Sequence, residues 1–125
     1  MKTTYSKAVE AYMTLLRTAK QPVMSLAVAG KLFRLRKALQ PLFEFYEETQ
    51  NGIIDDCGAT VDAIGRVAFP DATAKEKYTA KIAELNAMEC EADITPVQIP
   101  ETADLKYSPE DLWNLDGFIE IVEKE

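Results

Sequence analysis

The sequence contains no histidine, only two cysteines (Cys57 and Cys90) and a single tryptophan, Trp113. Without histidine the chain lacks the usual general base near neutral pH and the most common metal ligand. This composition argues against zinc hydrolases and against Ser-His-Asp or Cys-His catalysis. The two cysteines are too few for a disulfide scaffold and do not form a Cys-x-x-Cys motif, so we predict that both are reduced.

Motifs for nucleotides, calcium and membranes are also missing. There is no G-x-x-x-x-G-K-[ST] or G-x-G-x-x-G loop, and Asp55, Asp56 and Asp62 lack the spacing of a calcium loop. The longest apolar stretches fall far short of the roughly 20 residues of a membrane span. No apolar signal-peptide core follows the start of the chain. We therefore predict a cytoplasmic protein that is not an enzyme, needs no cofactor or metal, and does not associate with membranes.

Charge is divided unevenly along the chain. Residues 1–40 hold eight Lys/Arg and one acid, whereas residues 41–125 hold six Lys/Arg and twenty acids. The two parts therefore carry net charges of +7 and −14, within an overall charge of −7. Opposite charges separated in this way shape the surface field of a protein and its choice of partners, rather than its chemistry. The sequence indicates a protein that contacts another macromolecule.

The length of 125 residues predicts one domain, 1–125, with a helical part over 1–58 and a mixed strand and helix part over 59–125. Val9, Tyr12, Met13 and Leu16 follow helical spacing and predict one face of a first helix over 5–20. A longer stripe predicts a second helix that begins near Ser25. The residues of this stripe are Val28, Leu32, Leu35, Leu39, Leu42 and Tyr46.

Two residues should shape the second helix. Pro41 lies inside the stripe, where it removes an amide donor and crowds the preceding turn, so we expect a kink near Gln40 or two abutting helices. Gly58 is well placed to end the helix in the left-handed conformation.

Shorter elements are predicted in the second half. Val61, Ile64, Val67 and Phe69 indicate a hairpin between residues 60 and 70. Residues 73–76 match a capping box at the start of a third helix. Residues 89–99 alternate and then meet a proline, which is typical of an edge strand with a bulge or bend.

The last predicted element is a terminal helix. Ser108 and Pro109 match its N-cap and first position, and an apolar repeat continues to Val122, although Asp116-Gly117 could divide the segment. The fold class that we predict is therefore α+β. It comprises a helical hairpin with a long kinked second helix, packed with a small antiparallel sheet and two shorter helices.

Residues 22–56 and 82–125, about two thirds of the chain, carry a recognisable pattern, clearest at Glu-Ala-Asp-Ile (91–94) and Ser-Pro-Glu-Asp-Leu (108–112). In its order of elements the chain resembles a family of small phage-encoded proteins of unknown function. It departs from that family at Pro41 and at Cys57-Gly58. The resemblance implies a phage or prophage origin and no assigned enzyme activity, and it brings no functional residues.

A basic face on the first two helices is one candidate site. On a helical wheel Phe33 points away from the apolar stripe and has bases three and four residues later, so it could stack on a nucleic-acid base or fill a partner's pocket. The alternative is that Phe33 packs under the first helix while the bases are solvated. The candidate residues are Arg17, Lys20, Lys31, Phe33, Arg34, Arg36 and Lys37.

An acidic face in the last quarter of the chain is the other candidate. Clustered carboxylates can imitate phosphate spacing and occupy a basic groove, and Trp113 could anchor such an interface. The alternatives are a solvated acidic surface and a tryptophan that closes the edge of the core. The candidate residues are Glu101, Asp104, Glu110, Asp111, Trp113, Asp116 and Glu120.

The function that we expect is stoichiometric binding of a host or phage protein, with inhibition of a host nucleic-acid-directed defence enzyme as one form of it. One alternative is an accessory virion or assembly protein. Another is a nucleic-acid-binding protein that uses the basic second helix, although the net charge of −7 argues against general DNA binding. A further hypothesis is that the basic and acidic ends pair with each other, either between two copies in a homodimer or within one copy.

Overall fold

The computed structural model of the protein describes residues 1–20, 25–100, 103 and 105–122. The helices within these residues are α1 (Tyr5–Thr18), α2 (Leu26–Asp56), α3 (Ala72–Ala87) and α4 (Pro109–Asn114). The strands are β1 (Lys2–Thr4), β2 (Thr60–Val61), β3 (Val67–Ala68), β4 (Glu89–Glu91), β5 (Val97–Pro100) and β6 (Ile119–Val122). The α+β class and the long second helix are confirmed.

Helix α2 follows the sequence pattern closely. The Ser25 hydroxyl caps it by accepting a hydrogen bond from the Val28 amide at 3.2 Å. The helix ends at Asp56, and Gly58 follows with φ of +67°, the left-handed conformation expected for it. Pro41 lies within one helix, so a division into two helices is wrong. The proline faces solvent, where water can satisfy the carbonyl that loses its amide partner.

Helix α1 buries a different face from the one marked by its largest apolar residues. The residues that it buries are Ala8, Ala11, Thr14, Leu15 and Thr18. Met13 and Leu16 are instead 48% and 46% exposed. Small side chains allow a neighbouring element to approach the helix backbone closely, so the Ala and Thr face is the one that packs inward. Two ring stacks also tie α1 to α2, Tyr5 on Phe45 and Tyr12 on Phe43, with centroids 5.1 and 4.6 Å apart.

One hydrophobic core is shared by the first and the last parts of the chain. Helices α1 and α2 supply most of it, and the strands and loops of the C-terminal part cover it. Leu39, Ile99 and Leu115 are its largest fully buried side chains. The other buried members are Ala8, Ala11, Leu15, Val28, Leu32, Leu35, Cys90 and Phe118.

The strands form three separate two-stranded sheets rather than one antiparallel sheet. Strands β1 and β4 pair antiparallel, and β2 and β3 form the predicted antiparallel hairpin. Strands β5 and β6 pair in parallel, with Val97 opposite Ile119. The single edge strand predicted over residues 89–99 is therefore two strands, β4 and β5, that belong to different sheets.

Two element boundaries in the second half also differ from the prediction. Helix α3 is capped by Asp71, whose Oδ1 accepts from the Ala74 amide at 2.7 Å, and not by Thr73. Helix α4 ends at Asn114, because Gly117 adopts φ of +85° and turns the chain into β6. Ile119 and Val122 therefore belong to a strand, and the helical repeat that includes them is coincidental.

Leucine-to-alanine substitutions within α2 test how the core is stabilised. Leu39→Ala should lower the free energy of unfolding by about 2–5 kcal/mol, because Leu39 is fully buried and its removal leaves a cavity. Leu26→Ala is the matched control, since Leu26 is 90% exposed, and should change stability by less than about 0.5 kcal/mol. Urea denaturation followed by circular dichroism measures both, and equal losses would contradict this assignment of the core.

Candidate functional site

The short helix α4 begins with a complete capping box. The Ser108 hydroxyl accepts a hydrogen bond from the Asp111 amide at 3.1 Å, and the Ser108 amide donates to Asp111 Oδ2 at 3.0 Å. Pro109 occupies the first turn, where its missing amide proton costs nothing. A helix of six residues is too short to be stable alone, so its position depends on contacts with the rest of the molecule.

An ion pair fixes α4 to α1. Nη2 of Arg17 donates to Asp111 Oδ1, and Asp111 is only 4% exposed. The Arg17 hydrogen bond, supported by the Ser108 amide, lowers the pKa of the Asp111 carboxyl although its burial acts in the opposite direction. The carboxylate therefore remains charged across the neutral range, with one oxygen on α1 and the other on its own N-cap.

A second contact lies one turn after Asp111 on α4 and one turn before Arg17 on α1. The Asn114 side-chain amide donates to the Thr14 hydroxyl at 3.2 Å. Leu115, the residue that follows, is fully buried in the core. Together with the ion pair, these contacts hold α4 along one side and leave its other side free.

Trp113 lies on that free side and is 79% exposed. On a helix, residues 111, 114 and 115 share one face, and residue 113 points away from it. The possibility that Trp113 closes the edge of the core is therefore wrong. The indole is thus exposed on a helix whose backbone is fixed by the ion pair, the capping box and the Asn114 hydrogen bond.

An apolar groove of about 200 Å³ lies beside α4, with Leu112 and Ile121 among its exposed walls. Ile99 and the phenol ring of Tyr107 also line the groove. Burial raises the pKa of the Tyr107 hydroxyl, and the Asp111 charge acts in the same direction, so this group stays protonated and neutral. The groove is wide enough to accept one apolar side chain of a partner.

Three carboxylates are exposed on α4 and on the segment that follows it. Glu110, Asp116 and Glu120 are exposed on α4, on the turn after it and on β6. Glu101 and Asp104 lie outside the described residues. Trp113, the groove and the three exposed carboxylates are together called the α4 surface below.

Asp111 does not belong to the acidic face that the sequence suggested. It is buried and already paired with Arg17, so its charge is not offered to a partner. Arg17 is correspondingly no longer an uncommitted base, although its side chain remains 61% exposed. The Ser-x-x-Asp capping pattern was the signal for this, because a box aspartate turns its carboxylate back toward the N-cap.

The basic residues of α2 do not converge on one face. Phe33 is 54% exposed, with the Arg36 guanidinium 5.7 Å above its ring, and both line a cavity of about 210 Å³ beside α1. Lys31 and Arg34 lie on the opposite flank and line another cavity of about 310 Å³ with Asp93. The Lys31 ammonium donates to the Gln98 carbonyl at 3.1 Å. Lys37 and Lys20 are exposed and outside both cavities.

Two surfaces of the structure were not predicted from the sequence. The groove was not predicted because the apolar repeat from Leu112 to Val122 indicated a helix, whereas Gly117 turns the chain and Ile121 lies on a strand. The exposed face of α1, with Met13 and Leu16, was missed because its periodicity could not show which side is inward. A second stripe of small residues on α1, Ala8 and Ala11, was the available signal.

The described part of the chain has no cluster of metal ligands, no disulfide and no membrane-spanning helix. Across residues 1–20, 25–100, 103 and 105–122, no three His, Cys, Asp or Glu side chains come together as metal ligands would. Cys57 and Cys90 are both buried and unpaired, and burial raises the pKa of Cys90. Among the same residues, no helix has the length and apolar character needed to cross a bilayer.

Comparisons with protein-family profiles, with curated proteins and with solved structures gave no match.

Removing the Asp111 charge tests the ion pair. Asp111→Asn should lower the free energy of unfolding at pH 7 by about 1–3 kcal/mol, because it removes the charge that pairs with Arg17. The loss is limited because the Arg17 side chain is partly solvated. Since folding lowers the pKa of Asp111, its contribution is full above the ordinary carboxyl pKa of about 4 and is lost as the pH falls below it. The variant should therefore lose part of the wild-type decline in stability below that pH.

Glu110→Gln is the control, since Glu110 is the exposed neighbour of Asp111 in the same helical turn. It should change stability by less than about 0.5 kcal/mol. Urea titrations between neutral and acidic pH measure both variants. The same small loss in both, with unchanged pH dependence, would show that the ion pair does not stabilise the fold.

Proposed function

We propose that this is a non-enzymatic, phage-encoded protein that acts by stoichiometric binding of another protein through its α4 surface. The observation that carries the proposal is Trp113, 79% exposed on a helix that is fixed by an ion pair and a capping box. A large exposed apolar side chain costs solvation free energy that a covering partner recovers, and a helix already fixed in place loses less backbone freedom on binding.

Charge indicates the chemistry of the partner. Glu110 and Asp116 place negative charge on the helix that carries Trp113 and on the turn after it, and Glu120 adds an exposed carboxylate on β6. A partner surface that fits would be a basic rim around an apolar pocket or a protruding apolar residue. Charge complementarity of this kind speeds association and selects among partners, while the apolar centre supplies most of the affinity.

Basic grooves are characteristic of proteins that bind nucleic acid, because they neutralise backbone phosphates. Exposed carboxylates can occupy such a groove in place of phosphates. Inhibition of a host nucleic-acid-directed defence enzyme is therefore the form of binding that we propose for this surface. The phage origin rests on the resemblance in element order and motifs described above.

Substituting the tryptophan tests the proposal. The immobilised wild-type protein should retain a saturable partner from a host lysate at a fixed stoichiometry, and that partner should carry a basic groove. Trp113→Ala should weaken the affinity for the isolated partner by about 2 kcal/mol or more, roughly thirtyfold in Kd. Isothermal titration calorimetry measures the change.

Phe33→Ala is the matched control, because it removes another exposed aromatic side chain from the basic part of the surface. It should leave the Kd for the same partner nearly unchanged. A partner lost with Phe33→Ala but retained with Trp113→Ala would contradict a role for the α4 surface. Failure to retain any saturable partner would argue against the proposed function as a whole.

Nucleic-acid binding through α2 is a second candidate, favoured by the exposed ring of Phe33 beside Arg36. Arg34 and Lys37 are both exposed on the same helix. A double variant, Arg34→Glu with Lys37→Glu, should abolish a gel shift that itself weakens steeply with salt. No shift at low salt would eliminate this candidate.

A further inference from the structure

Helix α1 carries an apolar stripe that the fold leaves partly exposed. Val9, Met13 and Leu16 lie on the side of the helix opposite its buried Ala and Thr residues. Met13 and Leu16 are about half exposed. The stripe follows the three- and four-residue spacing of a helix that packs against another helix. These three residues are called the outer stripe.

An acid and a base lie beside the outer stripe, on one edge of α1. Glu10 and Arg17 lie on the same edge of α1, seven residues or about two turns apart, with Glu10 near its middle and Arg17 in its last turn. A second α1 that packs antiparallel on the stripe, centred between Met13 and Thr14, would place its Arg17 opposite Glu10. The two-fold axis repeats this contact, so that two ion pairs form across the interface.

Arg17 can take part in this contact without leaving its own fold. Only Nη2 of its guanidinium is bonded to Asp111, and a guanidinium has five N–H donors. Its side chain is 61% exposed even with that bond in place. Asp111 therefore holds the Arg17 side chain in one orientation while further donors remain open to solvent.

We propose that the outer stripe is a self-association surface on which α1 of a second copy packs antiparallel, with Glu10 of each copy paired to Arg17 of the other. Apolar side chains interdigitate along the centre, because Val9, Met13 and Leu16 of one copy fall between those of its partner. The second copy would bury the apolar stripe and pair with the charges at its edge. This proposal does not depend on the α4 surface or on its partner.

The test is the oligomeric state of the full chain. Sedimentation equilibrium should show a monomer–dimer equilibrium for the wild type. Met13→Glu and Leu16→Glu should each raise the dimer Kd at least about tenfold, since each replaces a buried apolar contact with a charge. Glu10→Lys should also raise the Kd, because it brings two cations together at each end of the interface.

Ile64→Glu is the control for non-specific association, since Ile64 is more exposed than Met13 and lies on the β2–β3 turn. It should leave the dimer Kd unchanged. In addition, Met13→Cys should form a disulfide-linked dimer on oxidation, because residue 13 lies next to the two-fold axis, whereas Ile64→Cys should not. Circular dichroism checks that each variant is folded.

Three results would overturn the proposal. One is a wild-type protein that stays monomeric up to about 100 μM, a concentration that reveals even weak specific dimers. Another is a dimer weakened as much by Ile64→Glu as by Met13→Glu. The third is a different protein that binds Met13 and Leu16 while the chain itself remains monomeric.

Discussion

The ion pair between Arg17 and Asp111 is the interaction on which the rest of the structure depends. It joins the basic first part of the chain to the acidic last part, across 94 positions of sequence. Helix α4 has only six residues and cannot hold its own position. The pair, the capping box and the Asn114 hydrogen bond to Thr14 fix it against α1. Where α4 lies then decides where Trp113 points and where the groove opens.

The charged residues of the sequence fall into two groups in the structure, those that pair within the fold and those that stay exposed. Asp111 and Arg17 serve the fold, and Asp111 does so at the cost of desolvating its carboxylate. Other charges, such as Glu110, Asp116, Glu120 and Lys37, remain exposed and shape the electrostatic field at the surface. Asp111 therefore lies outside the exposed acidic surface, whereas Trp113, two residues later, is exposed.

Much of the fold could be predicted because local chemistry determines it. Several predicted features express preferences that act within a few residues. They are the apolar stripe of α2, its Ser25 cap, the Gly58 that follows its end, and the Ser108 cap of α4. The β2–β3 hairpin is likewise local. At these positions the sequence pattern and the tertiary structure agree, so reading the pattern was sufficient.

The errors arose where distant parts of the chain decide the outcome. Helix α1 has two faces that could be buried, and contacts with α2 and α4 select the one with small residues. The C-terminal apolar repeat looked helical until Gly117 broke it and β5 offered Ile119 a parallel partner. Asp111 looked like a surface acid because its partner Arg17 is remote in sequence. Periodicity describes a face but does not say what covers it.

Because the chain has a single tryptophan, the dynamics of that residue report directly on the central claim. Time-resolved fluorescence anisotropy of Trp113 should decay mainly with the tumbling of the whole molecule in the wild type. In Asp111→Asn a faster local component should appear, because α4 is no longer tied to Arg17. If the indole moves with the same fast local component in both proteins, the ion pair does not fix α4, and the account fails.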